Sequence, residues 1–579
     1  MNKNEVAAVF EEIAALLEIT GENSFKTNAY RNAARAVEQF EGDLKTALAD
    51  GSLAKVRGIG SSILEKIHVL VDTGELPFLL DLRAKVPAGL LDVLRIPGLG
   101  PKKAKALYES LGVTDIESLK AACERDEVAH LKGFGEKTQA KILEGIAFRD
   151  TVGKRVRIDE ALPLGLQLLE QVRGFPGVIR AELCGSLRRR KETNGDLDIC
   201  AASTNPQAVL DAFVKLPEVM QVVGHGGTKA SVVAGLYLDG HKVVMNADLR
   251  VVSAEQFPFA VADFTGSKEH NIRMRQRAID RGWSLNEYGL HAKSGDLPAK
   301  EEADIFAHLG LRYIPPEMRE DTGEIEASEK GELPRLLEPG DIRGVFHNHT
   351  VASDGTATLE QMALATKEMG WEYFGVGDHS RSLTIARGLS SEMVRKQWAE
   401  IDRLNAKLKG VQILKGTECD ILEDGRMDFD DDLLAGFDYV VASVHTHFNL
   451  PEDQQTARIC KALSHPSVTM LGHATGRLLL RRPGYKVNLD AVLKAAADHG
   501  KMIEINANPY RLDLDWVYVK RAKAMGIPLV INPDAHSTTE LGYVPFGVNV
   551  ARRAWLTKDD VFNTRSLKDV RKELERRKG

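Results

Sequence analysis

Along the first 150 residues, apolar positions recur at helical spacing. Val6–Ile19 and Ala29–Phe40 each carry an apolar stripe, which predicts short amphipathic helices. Within this region a Gly-x-Gly pattern occurs three times: Val56-Arg57-Gly58-Ile59-Gly60-Ser61, Ile96-Pro97-Gly98-Leu99-Gly100-Pro101 and Leu131-Lys132-Gly133-Phe134-Gly135-Glu136. Each copy follows an apolar helix end and precedes a lysine-bearing helix. The rhythm then changes, and Leu197–Ile199 and Val243–Val252 read as strands. Tyr313–Ile342 is rich in Pro, Glu and Gly and predicts a linker with little core-forming power. From 343 to 570, short apolar strands alternate with helices, the rhythm of an α/β barrel. The fold class is multi-domain, α+β and α/β.

The length of 579 residues supports several domains. A formal charge of −6 gives no bulk signal for nucleic acid, so DNA contacts have to come from local patches or main-chain groups. Five scattered cysteines without a C-x-x-C pair read as reduced thiols of a cytoplasmic protein. The polar start Met1–Glu5 predicts no secretory signal, and no run is apolar enough to predict a membrane span.

Chemistry concentrates in Gly185-Ser186-Leu187-Arg188-Arg189-Arg190-Lys191-Glu192-Thr193-Asn194-Gly195-Asp196-Leu197-Asp198. On a strand, Asp196 and Asp198 share one face and repel unless a cation lies between them. Hard oxygen ligands of this kind suit Mg²⁺, and a Gly-Ser turn flanked by arginines can hold phosphates. Asp248, inside the second apolar strand, supplies a third carboxylate, costly to bury unless paired or metal-bound. In the hairpins, the glycines allow close backbone approach, and the N–H groups of the following helix can take a phosphate. One Gly-x-Gly is only a turn; three at similar spacing favour binding of a DNA backbone. In the barrel-like region, His347, His349, Asp354, His379, Glu418, His445, His473, Asp534 and His536 fall at successive strand ends. Mixed imidazole and carboxylate donors suit Zn²⁺, Mn²⁺ or Fe rather than Mg²⁺ alone. Arg477, Arg481, Arg482 and Lys486 read equally as a phosphate-binding face or a solvated run.

The Gly-Ser-Leu-x-Arg…Gly-Asp-Leu-Asp run resembles the palm signature of family X, the DNA polymerase beta-like enzymes. The whole chain resembles the bacterial branch, in which a polymerase is joined to a polymerase-and-histidinol-phosphatase (PHP) domain. That resemblance implies a helical lyase-like domain with a helix-hairpin-helix over 1–85 and a fingers-like DNA-binding region over 86–150. It implies a palm over 151–255, a thumb-like part over 256–312, a linker over 313–342, and a distorted (β/α) PHP barrel over 343–570. It implies Asp196, Asp198 and Asp248 as catalytic ligands of Mg²⁺ or Mn²⁺. Arg155 with Lys154, Gly185, Ser186, Arg189 and Gly195 would bind the triphosphate. Phe264, Gly266, Asn271 and Arg275 would flank the sugar and nascent base pair.

Two positions depart from the family pattern. Asp263 stands where many relatives have an aromatic residue or histidine, and Asn246 where animal relatives have an arginine. Three Zn²⁺ or Mn²⁺ ions, or Fe, are implied at the PHP site. His347, His349, Glu418 and Asp534 would hold the first, Glu418, His445 and His473 the second, and Asp354, His379 and His536 the third. Lys66, with Tyr30 and Lys26, resembles the 5′-deoxyribose-phosphate lyase pocket, although Ser62 replaces a supporting lysine. A lysine that binds phosphate from a solvated helix is the alternative.

The expected activity is template-directed filling of short gaps in base excision repair. Gapped or nicked duplex DNA and dNTPs would be the substrates, and the protein would be a monomer. The PHP domain would act as a 3′-5′ exonuclease, AP endonuclease or 3′ phosphodiesterase. A non-templated nucleotidyltransferase beside a phosphatase, or a catalytically dead DNA-binding scaffold, are the rivals.

Overall fold

A computed structural model describes residues 3–40, 44–56, 58–87, 89–94, 96, 99, 101–140, 142–143, 146, 155–238 and 241–578. The chain forms two compact units, Met1–Lys154 and Arg155–Gly579. Among the described residues, no helix is long and apolar enough to cross a membrane. All five cysteines are free thiols.

The first unit is helical. Its opening helix, Lys3–Ile19, carries Val6, Phe10, Ile13 and Leu17 on one stripe, all fully buried. They meet Ala33 and Val37 of Ser24–Gln39 and Ile67 and Leu70 of Ser61–Thr73 in a single apolar cluster. The helix Ser61–Thr73 stops at Gly74, whose left-handed backbone (φ 76°) lets its N–H reach the carbonyl of Leu70.

The second unit opens on a five-stranded sheet: β1 (Val178–Leu183), β2 (Asp196–Ser203), β3 (Val219–His225), β4 (Lys229–Leu238) and β5 (His241–Val252). The order is β1-β2-β5-β4-β3, and only β2 and β5 run parallel. The amphipathic helix Ile158–Arg173 and the helix Pro206–Phe213 bury their apolar faces in the same core as the sheet. Two helices, Phe257–Thr265 and Lys268–Ile279, lead into a small antiparallel sheet and the helix Glu302–His308.

Residues 313–342 depart from expectation. This stretch is not a spacer: Ile314, Met318, Ile325 and Leu336 are buried in one cluster with Phe259, Met274 and Phe306. Buried Glu320 and Glu324 are each paired, to Arg189 and His270. The Pro, Glu and Gly content that reads as a linker instead builds short turns around apolar anchors, and the acids have partners supplied from elsewhere in the chain.

The strands from residue 344 onward are parallel: β6 (Gly344–Val345), β7 (Tyr373–Gly375), β8 (Gln412–Leu414), β9 (Gly416–Asp420), β10 (Tyr439–Ser443), β11 (Met470–Leu471), β12 (Met502–Asn506) and β13 (Leu529–Asn532). They form a three-stranded sheet, β6-β7-β8, and a five-stranded one, β9-β10-β11-β12-β13. The expected distorted barrel is therefore not one continuous hydrogen-bonded cylinder. Single bridges, His379 to Glu418 and Asn348 to Ala535, join the two sheets. Both bridges carry site residues or their neighbours, so the seams of the barrel lie where the chemistry is.

Candidate active sites

The first site follows from strand register. Asp196 and Asp198 share one face of β2, and the parallel pairing puts Asp198 directly opposite Asp248 of β5. Burial, then the charges of Asp196 and Asp248, push the Asp198 carboxyl up to about 7, against Lys229 and Arg189. Asp196 is likewise raised, by burial and by Asp248. Lys229 of the neighbouring strand places Nζ 2.6 Å from Asp248 Oδ2. Three crowded carboxylates, with Asp196 and Asp198 both resisting ionisation, fit a site for divalent cations.

The one-turn helix Gly185–Arg188 sits against these acids. Gly185 has φ 62°, and a Cβ there would come within 2.1 Å of Asp198 Oδ2, so only glycine fits. Ser186 Oγ donates to Asn194 Oδ1 at 2.8 Å. Arg155 donates to the Thr193 hydroxyl at 2.9 Å and to the Thr193 carbonyl, beside Gly195. Arg189, Gly185, Ser186 and Asp198 line a cavity of about 370 Å³ with Phe264, Gly266, Asn271 and Arg275. Asp263 also faces it, held at 2.6 Å by Arg275 Nη2, while Asn271 Nδ2 donates to the Asp263 carbonyl at 2.6 Å. Lys154 lies outside the described residues.

In the first unit, Lys66 Nζ donates to Ser62 Oγ at 2.9 Å and stands 5.9 Å from the Tyr30 ring centre and 5.7 Å from that of Phe78. Lys26 Nζ lies 5.6 Å from the same Phe78 ring. Gly58 has φ 96° and approaches the Asn32 carbonyl, and Gly60 opens the helix Ser61–Thr73 without a side-chain cap. Gly133 and Gly135 also have positive φ, open space in front of them, and a helical stretch after them. Both hairpins leave main-chain N–H groups at a helix start for an incoming phosphate. Gly98 and Gly100 lie outside the described residues.

The second site gathers nine side chains at strand ends. Glu418, at 1% exposure, touches His473 Nε2 at 2.8 Å, His379 Nδ1 at 2.9 Å, His347 Nε2 at 3.2 Å, His445 Nε2 at 3.3 Å and His349 Nε2 at 3.6 Å. Asp534 Oδ1 lies 3.1 Å from His349 and 3.6 Å from His347. Asp354 reaches His379 and His536 at 3.4 Å. Four sets each converge within 4.8 Å: His349, Asp354, His379 and His536; His347, His349 and Asp534; His347, Glu418 and His473; His379, Glu418 and His445. His347, His473 and Asp534 adopt positive φ, a strained backbone for non-glycine residues.

The electrostatics ask for cations. Burial opposes charge on every imidazole, yet Glu418 and Asp354 raise His379 to about 10, and Glu418 and Asp420 raise His445 to about 9. His349, buried between His536 and His379, is lowered to about 4. His347 Nε2, His349 Nδ1 and His379 Nδ1 are buried without a hydrogen-bond partner. Orphaned nitrogens beside buried carboxylates are what a metal cluster would satisfy.

Comparison with known proteins now decides the family. Residues 1–76 match the helix-hairpin-helix domain and 90–147 the SAM-like helix-hairpin-helix tandem. Residues 260–320 match the DNA polymerase beta thumb, and 346–508 the PHP domain. The DNA polymerase/3′-5′ exonuclease PolX of Bacillus subtilis is 40% identical over 578 residues, 100% of both chains. This chain belongs to the family X DNA polymerases with a PHP domain.

The family X thumb match runs to 320, past the expected boundary at 312, in keeping with the packing of residues 313–342. The PHP match stops before Asp534 and His536, which the fold nevertheless carries to the same cluster. Proteins named probable phosphatases match a smaller share of the chain. One from Thermoanaerobacter sp. is 29% identical over 246 residues, 40% of this chain and 96% of its own. One from Shewanella oneidensis is 26% identical over 227 residues, 38% of this chain and 85% of its own.

Sequence reasoning missed the residues that orient this family X chain's ligands. Glu504 accepts from His347 Nδ1 at 2.6 Å and from the His473 main chain, and Asp420 pairs with His445 Nδ1 at 2.6 Å. Arg511 Nε lies 3.5 Å from Asp534. A lone acid inside Met502-Ile503-Glu504-Ile505-Asn506 was the available signal, because such an acid must have a buried partner. Arg477 and Arg482 instead spend donors on main-chain carbonyls, and Arg481 lies over the Tyr510 ring.

Proposed function

We propose that this protein is a template-directed DNA polymerase that fills short gaps during base excision repair, and that its PHP domain trims DNA 3′ ends and cleaves at abasic sites. The observation that carries the polymerase reading is Asp198 facing Asp248 across paired strands beside the Gly185–Arg189 turn. The name of the Bacillus subtilis relative pairs a DNA polymerase with a 3′-5′ exonuclease. Mg²⁺ or Mn²⁺ between Asp196, Asp198 and Asp248 would polarise the attacked phosphate and lower the pKa of the primer hydroxyl. The chain's own part is geometric. Gly185 lets the turn approach the acids, Ser186 and Arg189 receive the triphosphate, and Arg155 with Gly195 holds the loop between them. Phe264, Gly266, Asn271 and Arg275 border the sugar and base pair. The hairpins of the first unit hold the DNA backbone without reading sequence.

At the PHP site, the ligand sets that the family resemblance implies would hold three Zn²⁺, Mn²⁺ or Fe ions, whose chemistry would be to supply a hydroxide and stabilise the leaving phosphate oxygen. Glu504 and Asp420 fix the orientation of His347 and His445. A 5′-deoxyribose-phosphate lyase is a second reading, favoured by the Lys66 amine over Tyr30 and Phe78 with Lys26 beside the same ring. The protein works as a cytoplasmic monomer on gapped or nicked duplex DNA.

Primer extension on a one-nucleotide gap, with and without a templating strand, tests the reading. Addition only opposite a template base is expected. Equal untemplated addition would support the rival transferase, and no addition in Mg²⁺ or Mn²⁺ would support the scaffold.

A further inference from the structure

Arg189 does more than line the nucleotide cavity. Its Nε donates to Glu320 Oε1 at 3.1 Å, and its Nη1 donates to the Thr265 carbonyl. A Cβ at Gly266 would lie 3.1 Å from Nη1, so the guanidinium rests on the thumb turn. Glu320 is also held from a second side. Arg553, in the PHP helix Val544–Arg553, approaches the same Oε1 at 3.4 Å and places Nη1 2.7 Å from Glu192 Oε2, just past the palm turn. Arg553 is 2% exposed, Glu320 6% and Glu192 9%. Burial opposes the Glu320 charge, but Arg189, Arg553 and Lys191 hold its carboxyl below the usual range. Two arginines and two carboxylates thus form a largely buried quartet drawn from palm, thumb and PHP domain.

Sharing has a consequence for Arg189. An anion divided between two cations draws each less strongly than an anion left to one. We propose that Arg553 is a positioning residue for the polymerase site: by sharing Glu320, the PHP domain leaves the Arg189 guanidinium available to the incoming triphosphate. This inference rests on the reading of Arg189 as a triphosphate ligand. Removing Arg553 strands the buried Glu192 and leaves Glu320 to Arg189, whose guanidinium is then drawn further from the cavity toward Glu320.

The test is a KM-against-kcat comparison for single-dNTP insertion, in the full chain, for Arg189→Ala, Arg553→Met, Glu192→Gln and Arg553→Met with Glu320→Gln. Arg553→Met is expected to raise the dNTP KM about tenfold with kcat within about threefold, since uniform binding is lost. Adding Glu320→Gln frees Arg189 again and brings KM back to within about threefold of wild type, a non-additive recovery. A merely structural role would make the double variant as bad or worse. Glu192→Gln moves KM the other way, because Arg553 then gives more of itself to Glu320. Digestion of 3′ ends by Arg553→Met stays at the wild-type rate and reports an intact fold. If that variant loses digestion too, Glu192→Gln carries the test, and a KM equal to or above wild type overturns the proposal. A raised KM in Arg189→Ala with none in Arg553→Met overturns this inference alone. An unchanged KM in Arg189→Ala overturns the triphosphate reading and this inference with it.

Discussion

Glu418→Gln offers the sharpest separation of the two chemistries. The substitution keeps the side chain's shape and removes one negative charge from a fully buried position. That charge lies within 3.6 Å of five histidines. Taking one partner from a buried ionic set costs about 3–5 kcal/mol. At about 1.4 kcal/mol per decade, that is roughly 10²–10⁴-fold in affinity for a cation held there. Glu418→Gln should therefore cut 3′ digestion by at least about 10²-fold and deplete bound metal, with primer extension within about twofold of wild type. Asp248→Asn should do the reverse, since Asp248 belongs to a different sheet and shares no ligand with the PHP set. One 5′-labelled primer-template in Mn²⁺ reads both activities on the same gel, and plasma mass spectrometry counts the metals. Full digestion by Glu418→Gln would refute the bridging role. Loss of digestion in a folded, DNA-bound Asp248→Asn protein would refute the two-site assignment itself.

Other outcomes follow from the same geometry. Lys66→Ala should abolish borohydride trapping on a 5′-deoxyribose-phosphate end; undiminished trapping would move the amine elsewhere. Asp263→Tyr should break the tie to Arg275 and sharpen the dCTP-over-CTP ratio about tenfold, whereas an unaltered ratio shows that the position does not sense the sugar. Gly185→Ala should abolish extension in a folded protein, because its methyl would stand 2.1 Å from Asp198 Oδ2. Burial alone would raise Glu302, but Arg319 and Arg188 hold it down at about 2, below its ordinary 4.5. Its stabilising contribution of about 3 kcal/mol is present above pH 4.5 and lost as pH falls toward 2. Urea midpoints at pH 5 and pH 3 should differ less in Glu302→Gln than in wild type; equal drops would sink this assignment.

The parts of the sites that were legible were those written in local spacing. Asp196 and Asp198 sit two apart on a strand, and the PHP histidines end apolar runs, so each pattern carried its own geometry. Strand register was not legible, and only the parallel pairing of β2 with β5 showed that Asp248 faces Asp198 rather than Asp196. Residues 313–342 misled because composition measures how much apolar material a stretch has, not how well it is placed. Four or five anchors such as Ile314 and Leu336 suffice when Phe259 and Phe306 receive them. Glu504, Asp420, Lys229 and Arg553 act through partners more than 20 residues away in the chain or on another strand, and no local pattern records such a partnership.

The quartet around Arg553 also bears on how the chain is made. Synthesis runs from palm to thumb to PHP domain, and the helix Val544–Arg553 is completed more than 200 residues after Glu320. At roughly 5–20 residues per second, Glu192 and Glu320 wait on the order of 10–70 s for their last cation. An apolar patch left bare for that time would invite association with other nascent chains. Carboxylates stay hydrated instead, and this pair closes only when the final helix brings its arginine.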